Sequence, residues 1–182
     1  MGIKRNIILF DLDGVVADDR HRRELLPGKG KYWEVEARPG DFDNYHGAAI
    51  DDEAVPRIQE AIRNCHYRGW RVVYFTARPE KYRRDTLRWL QLKCWEEWRS
   101  GRMLDDSLFM RPHGNTQRSE HLKLVMLNDG LFPKNRLNYI RNCVVAIVDD
   151  NLAVVQAFMA QGIPGIHYNI TTGRENVEGI GI

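Results

Sequence analysis

Asn6-Ile7-Ile8-Leu9-Phe10-Asp11-Leu12-Asp13-Gly14 joins an unbroken apolar run to two carboxylates and a glycine. An apolar run this short, with no polar alternation, is the pattern of a strand buried on both faces. Such strands belong to parallel sheets, whose connections cross over through helices. Two acids and a turn-forming glycine at its end mark the edge of the sheet where the chain turns back.

The same kind of run recurs down the chain. Arg71–Phe75 (RVVYF), Ser107–Met110 (SLFM), Cys143–Val148 (CVVAIV) and Gly165–Tyr168 (GIHY) are expected strands. Helical spacing fills the gaps between them. Asp52–Arg68 places Val55, Ile58, Ala61, Ile62 and Cys65 on one face, with Asp51 or Asp52 as a cap and Gly69 as a stop. Glu80–Trp98, Glu120–Leu127 and Leu152–Gln161 are further expected helices, and Asn128–Gly130 and Gly162 end the last two. The tail after Thr171 is weakly patterned and is expected to fray. Alternation of strand and helix predicts an α/β fold, a Rossmann-like doubly wound parallel sheet. Pro27–Gly47 has no periodicity and is expected to be a long loop or small flap. The expected organisation is one domain over residues 1–182, with a flap at 18–51 and no full cap domain.

Composition sets the class. The chain has 182 residues, 43% hydrophobic and 29% charged, values of an ordinary globular protein with one core. A net charge of +2 neither demands nor excludes a nucleic-acid partner, although basic residues cluster at Arg20–Arg23, Arg78–Arg88 and Arg111–Arg118. Cys65, Cys94 and Cys143 form no C-x-x-C pair, which argues against a zinc site or a disulfide framework and fits a reducing cytoplasm. No apolar stretch of signal-peptide length precedes Asp11, and no segment is long enough to cross a membrane, so no membrane partner is expected.

Chemistry gathers where the strands end. The first strand leads into Asp11 and Asp13, the second into Thr76-Ala77-Arg78, and the Cys143–Val148 strand into Asp149-Asp150. In a parallel sheet all of these meet at one edge, where such folds bind ligands. Four carboxylates repel unless a cation intervenes, and Mg²⁺ with oxygen ligands is the simplest one. A carboxylate beside Mg²⁺ and a phosphate can act as a nucleophile. A second carboxylate two residues on can serve as acid and base.

Asp11-Leu12-Asp13-Gly14-Val15-Val16 resembles the first motif, D-x-D-G-x-x, of the haloacid dehalogenase superfamily. Thr76 is similar to its second motif, Lys123 to its third and Asp149-Asp150 to its fourth, all in the family's order. Thr76-Ala77-Arg78, Met110-Arg111-Pro112 with Arg118 and Lys123, and His21-Arg22 ahead of Asp41-Phe42-Asp43-x-Tyr45 also resemble the phosphatase domain of phage polynucleotide kinases. Ala77 replaces a glycine of that group, and no G-x-x-x-x-G-K-[ST] loop for a kinase half occurs.

The resemblance implies a Mg²⁺-dependent phosphatase acting on nucleic-acid 3′ ends or nucleotides. It implies Asp11 as nucleophile and metal ligand, and Asp13 as acid and base with its carbonyl on the metal. Thr76 and Lys123 would bind the transferred phosphoryl group. Asp150, supported by Asp149, would complete the metal site, with the order of the two open. Arg78 would grip substrate phosphate, assisted by Arg22, with Arg111 and Arg118 as further contacts. The location implied is cytoplasmic, a host cytoplasm if the source is a phage.

Plainer readings compete. Asp11 and Asp13 could form a solvated turn, Thr76 a helix cap, and Lys123 a surface lysine. Arg78 could pair with Glu80 or Asp85, and Arg22, Arg111 and Arg118 could be solvated charge. Tyr32, Trp33, Phe42 and Tyr45 suit stacking on a base or pinning the flap equally well. Trp89, Trp95 and Trp98 suit packing or an oligomer contact, and His113 a loop. At the level of function the alternatives are a phosphatase of another small metabolite and a non-catalytic nucleic-acid-binding module.

Overall fold

The structure, a computed structural model, describes residues 6–26, 42–94, 107–129, 143–172 and 174–176. Strand β1 (Ile7–Phe10) lies inside a sheet with β4 (Arg71–Pro79), β5 (Leu108–Arg111), β6 (Val144–Asp149), β7 (Gly165–Asn169) and β8 (Arg174–Asn176). The order is β5-β4-β1-β6-β7-β8, and the pairings from β5 to β7 are parallel.

Side chains alternate across a strand, and β1 divides its four between two cores. Ile8 and Phe10 join Val72 and Tyr74 under α2 (Pro56–Tyr67) and α3 (Arg83–Lys93), whose Ile58, Ile62, Trp89 and Leu90 cover them. Ile7 and Leu9 join Val73 and Phe75 under α4 (Ser119–Asp129) and α5 (Leu152–Met159), which supply Leu122, Met126, Val154 and Phe158. Each large side chain buried this way contributes about 1.5–3 kcal/mol. The sheet is therefore covered on both faces, as a doubly wound fold requires.

Two short strands, β2 (Ala17–Asp18) and β3 (Glu53–Ala54), pair antiparallel and bring together the two ends of the 18–51 excursion. That excursion holds a 3-10 helix (Arg20–Leu25), helix α1 (Asp43–Gly47) and a 3-10 turn (Ala48–Asp51). Residues 27–41, with Tyr32 and Trp33, lie outside the described residues, as do Trp95 and Trp98.

Four expectations need correction. Helix α2 starts at Pro56, not Asp52, because proline at the first helical position sets the start and Val55 is its cap. Neither Asp51 nor Asp52 caps it. Strand β4 runs to Pro79, beyond Phe75, because β5 pairs with it out to Arg111. The expected Glu80–Trp98 helix begins as a 3-10 turn (Glu80–Tyr82) before α3. The tail after Thr171 supplies β8, antiparallel to β7 through Tyr168↔Glu175; an edge strand held by backbone hydrogen bonds needs no apolar pattern. No described helix is long and apolar enough to cross a membrane.

Candidate active site

The register sets the site. Phe10 is level with Val148 of β6, and the Asp11 N–H donates to the Val148 carbonyl at 2.9 Å. Asp11 and Asp149 therefore leave neighbouring strands at the same height. With Asp150 they can offer oxygens within 4.8 Å of one another.

Lys123 of α4 is buried between them. Its Nζ lies 3.0 Å from Asp11 Oδ1 and 2.7 Å from Asp149 Oδ2. The surface-lysine reading fails, since Lys123 is 1% exposed. Asp149 is fully engaged, because its Oδ1 also accepts from the Asn151 N–H at 2.9 Å. Asn151 in turn caps α5 through the Ala153 N–H. Asp150 differs: its Oδ1 is buried with no hydrogen-bond partner. Its backbone carbonyl accepts a 3.0 Å hydrogen bond from His167 Nε2 on β7.

Three carboxylates crowd one ammonium in a buried place, and the nearest further cation is the Arg23 guanidinium, 3.9 Å from Asp150 Oδ2. Burial pushes Asp11 up to about 7; Lys123 pulls it back, and Asp149 and Asp13 push it further up. Burial, then Asp11 and Asp149, raise Asp150 well above the carboxylate range. Burial would lower the Lys123 ammonium, but the two aspartates hold it above its ordinary value. The orphaned Asp150 oxygen and the crowded carboxylates fit a divalent cation with oxygen ligands.

Gly14 belongs to the same place. Its φ is +78°, and a Cβ there would lie 2.5 Å from Asp150 Oδ2 and 3.2 Å from Arg23 Nη2. Only glycine gives both the left-handed turn and the close approach.

A second cluster surrounds Asp13, whose Oδ1 accepts from Arg22 Nη2 and from Arg78 Nε (2.9 Å) and Nη2 (2.6 Å). Asp52 braces both guanidiniums, with Arg22 Nε and Nη2 each at 2.6 Å and Arg78 Nη2 at 3.2 Å. All four residues are buried, and their charges balance. Burial alone would push the Asp13 carboxyl up; Arg78 and Arg22 more than offset it and hold it well below the usual range. Arg78 is thus directed inward, away from Glu80, which pairs with Arg83.

The other expected residues are spread more widely. Thr76 is buried in β4, seven residues before α3, so it caps no helix; its Oγ1 accepts from the Arg78 N–H at 3.2 Å. Arg111 donates to the carbonyls of Ala77 (3.0 Å) and Gln117 (2.7 Å). Arg118 pairs with Glu120 at the surface. Tyr45 is buried over the Arg22 guanidinium, 4.0 Å from ring centroid to Cζ, and its hydroxyl donates to Asp19, so it ties α1 to the start of the 3-10 helix (Arg20–Leu25). Trp89 is packed, with Nε1 on the Asp52 carbonyl at 2.8 Å. Sequence reading missed Asp19, Arg23, Asp52 and His167 as site residues. Their only signal was proximity to acidic or basic neighbours, which carries no direction.

No family model and no curated protein sequence matches the chain. Solved structures do. A chain of the Pnkp1/Rnl/Hen1 RNA repair complex aligns with a TM-score of 0.60 at 17% identity, over 91% of this chain and 43% of that one. At this identity the likeness is one of fold. A candidate phosphatase from Clostridium difficile aligns with a TM-score of 0.53 at 12% identity, over 89% of this chain and 84% of that one. The HAD domain of the effector Lem4 from Legionella pneumophila aligns with a TM-score of 0.46 at 13% identity. This chain spans less than half the length of the repair-complex chains it matches.

Proposed function

We propose that the protein is a Mg²⁺-dependent phosphomonoesterase that removes phosphate from a nucleic-acid 3′ end or a nucleotide through an aspartyl-phosphate. One observation carries this: a buried lysine joins Asp11 to Asp149 beside an Asp150 oxygen that has no partner. A solvated turn would need none of these. The fold neighbour in an RNA repair complex supports a nucleic-acid end as substrate.

Asp11 and Asp150 would hold the cation, with the Asp13 carbonyl as a third ligand and Asp149 as support. Bound there, Mg²⁺ supplies charge neutralisation and polarises the phosphoryl oxygens. Lys123 and Thr76 stabilise the transferring group. The Asp11 carboxylate forms the new P–O bond as the ester oxygen leaves with a proton from Asp13. Asp13 then takes a proton from water, whose oxygen attacks phosphorus and frees Asp11. The arrangement seen is the base form of Asp13; the acid step requires it to leave the two guanidiniums and take up a proton. In this arrangement Arg22 and Arg78 are turned towards Asp13 and Asp52.

The test is phosphate release with Mg²⁺ from a 3′-phosphorylated oligonucleotide and from a nucleoside monophosphate, comparing wild type with Asp11→Asn. Release by wild type alone supports the chemistry, and the preferred substrate names its class. Release by neither protein from either substrate sinks the proposal.

A further inference from the structure

Arg22 and Arg78 are buried against Asp13 and Asp52, and Arg111 donates to the carbonyls of Ala77, Asn115 and Gln117 and to Asn115 Oδ1. Among the described residues, the guanidinium that approaches Asp150 is that of Arg23. Its Nη2 lies 3.9 Å from Asp150 Oδ2, and its side chain is 38% exposed.

Arg23 is held in place from behind. Its Nε (2.9 Å) and Nη2 (2.7 Å) both donate to Asp19 Oδ1. Asp19 is buried, and its other oxygen accepts from the Tyr45 hydroxyl at 2.6 Å. Nη1 has no hydrogen-bond partner among the described residues. The same guanidinium lies 3.2 Å from the space above the Gly14 Cα that only glycine leaves open. A pre-oriented, part-exposed fork, with Nη1 unpartnered among the described residues, beside a candidate cation site suits an incoming oxyanion.

We propose that Arg23 receives a phosphate oxygen of the ligand through its Nη1 donors. The proposal deepens the phosphatase reading and rests on it for the nature of the ligand. That oxygen belongs either to the terminal monoester or to the neighbouring phosphodiester.

Binding is read by fluorescence anisotropy in the full-length Asp11→Asn protein with Mg²⁺. The probes are an oligonucleotide with a 3′-phosphate and the same oligonucleotide with a 3′-hydroxyl, and inorganic phosphate competes. Arg23→Gln is expected to weaken binding about tenfold, the scale of one charge-assisted hydrogen bond. Arg23→Lys restores part of it, which also excludes a folding defect. Loss confined to the 3′-phosphate probe assigns the monoester; loss on both assigns the phosphodiester. If Arg23 only balances Asp150, Arg23→Gln shifts the Mg²⁺ concentration needed for thermal stabilisation and leaves ligand affinity unchanged. That result overturns the proposal, as does a parent protein that binds none of the probes. Phosphate release by wild type from 4-nitrophenyl phosphate reports on the catalytic reading alone. An active wild type with unaltered binding by Arg23→Gln sinks only the role of Arg23. An inactive wild type with Arg23-dependent binding sinks only the catalysis.

Discussion

Lys123 Nζ stands 3.0 Å from Asp11 Oδ1, with both side chains closed off from solvent. The pair ties the C-terminal end of β1 to α4, and a second contact at 2.7 Å extends it to Asp149 on β6. Removing the ammonium leaves buried carboxylates facing one another. Lys123→Met should cost about 3–5 kcal/mol in EDTA. Part of that should return with Mg²⁺, because the ion supplies the lost positive charge. Urea denaturation with and without Mg²⁺ checks this; equal stability of Lys123→Met and wild type in EDTA would refute the buried ion pair.

Gly14→Ala tests the contact between the first turn and Asp150. The new methyl would meet Asp150 Oδ2 at 2.5 Å on a backbone with φ of +78°. Displacing Asp150 should weaken Mg²⁺ binding about tenfold or more, the scale of disturbed metal-site support. Calorimetric titration with Mg²⁺ measures it. Unchanged affinity would mean that Asp150 does not hold the ion.

Asp13 and Arg78 should be energetically coupled. Arg78→Met leaves Asp13 and Asp52 with one guanidinium between them, and Asp13→Asn relieves that imbalance. A double-mutant cycle on stability should return a coupling of about 0.5–3 kcal/mol. Additive effects would show that the buried quartet is not a unit.

His46 sets an acid limb of stability. Burial first, and the Arg78, Arg22 and Arg111 charges after it, lower the imidazole to about 3, although Asp13 opposes them. The unfolded chain therefore binds a proton near pH 6.5 that the folded protein refuses until about pH 3. Stability from this group is present above pH 6.5 and is lost as pH falls towards 3. In His46→Gln the decline over that window should be shallower, as read from urea midpoints at each pH. An unchanged slope would place the acid sensitivity elsewhere.

Much of the architecture was legible in the linear chain. Ile7–Phe10 and Val144–Asp149 are apolar runs too short for helices, and a parallel sheet between helices follows from their alternation. Such a sheet must bring Asp11, Thr76 and Asp149-Asp150 to one edge. Helix starts were less legible, because Asp52 looks like a cap until Arg22 and Arg78 claim both of its oxygens. Strand β8 was invisible, since it is held by backbone pairing to β7, which any sequence can supply.

Sequence by itself determined the fold class and the residues that converge, because periodicity and strand ends are local properties of the chain. Tertiary structure alone decided how those residues divide their partners. Adjacent arginines have opposite fates: Arg22 turns inward to Asp13, and Arg23 turns towards Asp19 and Asp150. A charge in a sequence has a sign but no direction. Direction comes from long-range packing of the 3-10 helix and α1 beside the sheet edge, which buries one guanidinium and leaves the next beside Asp150.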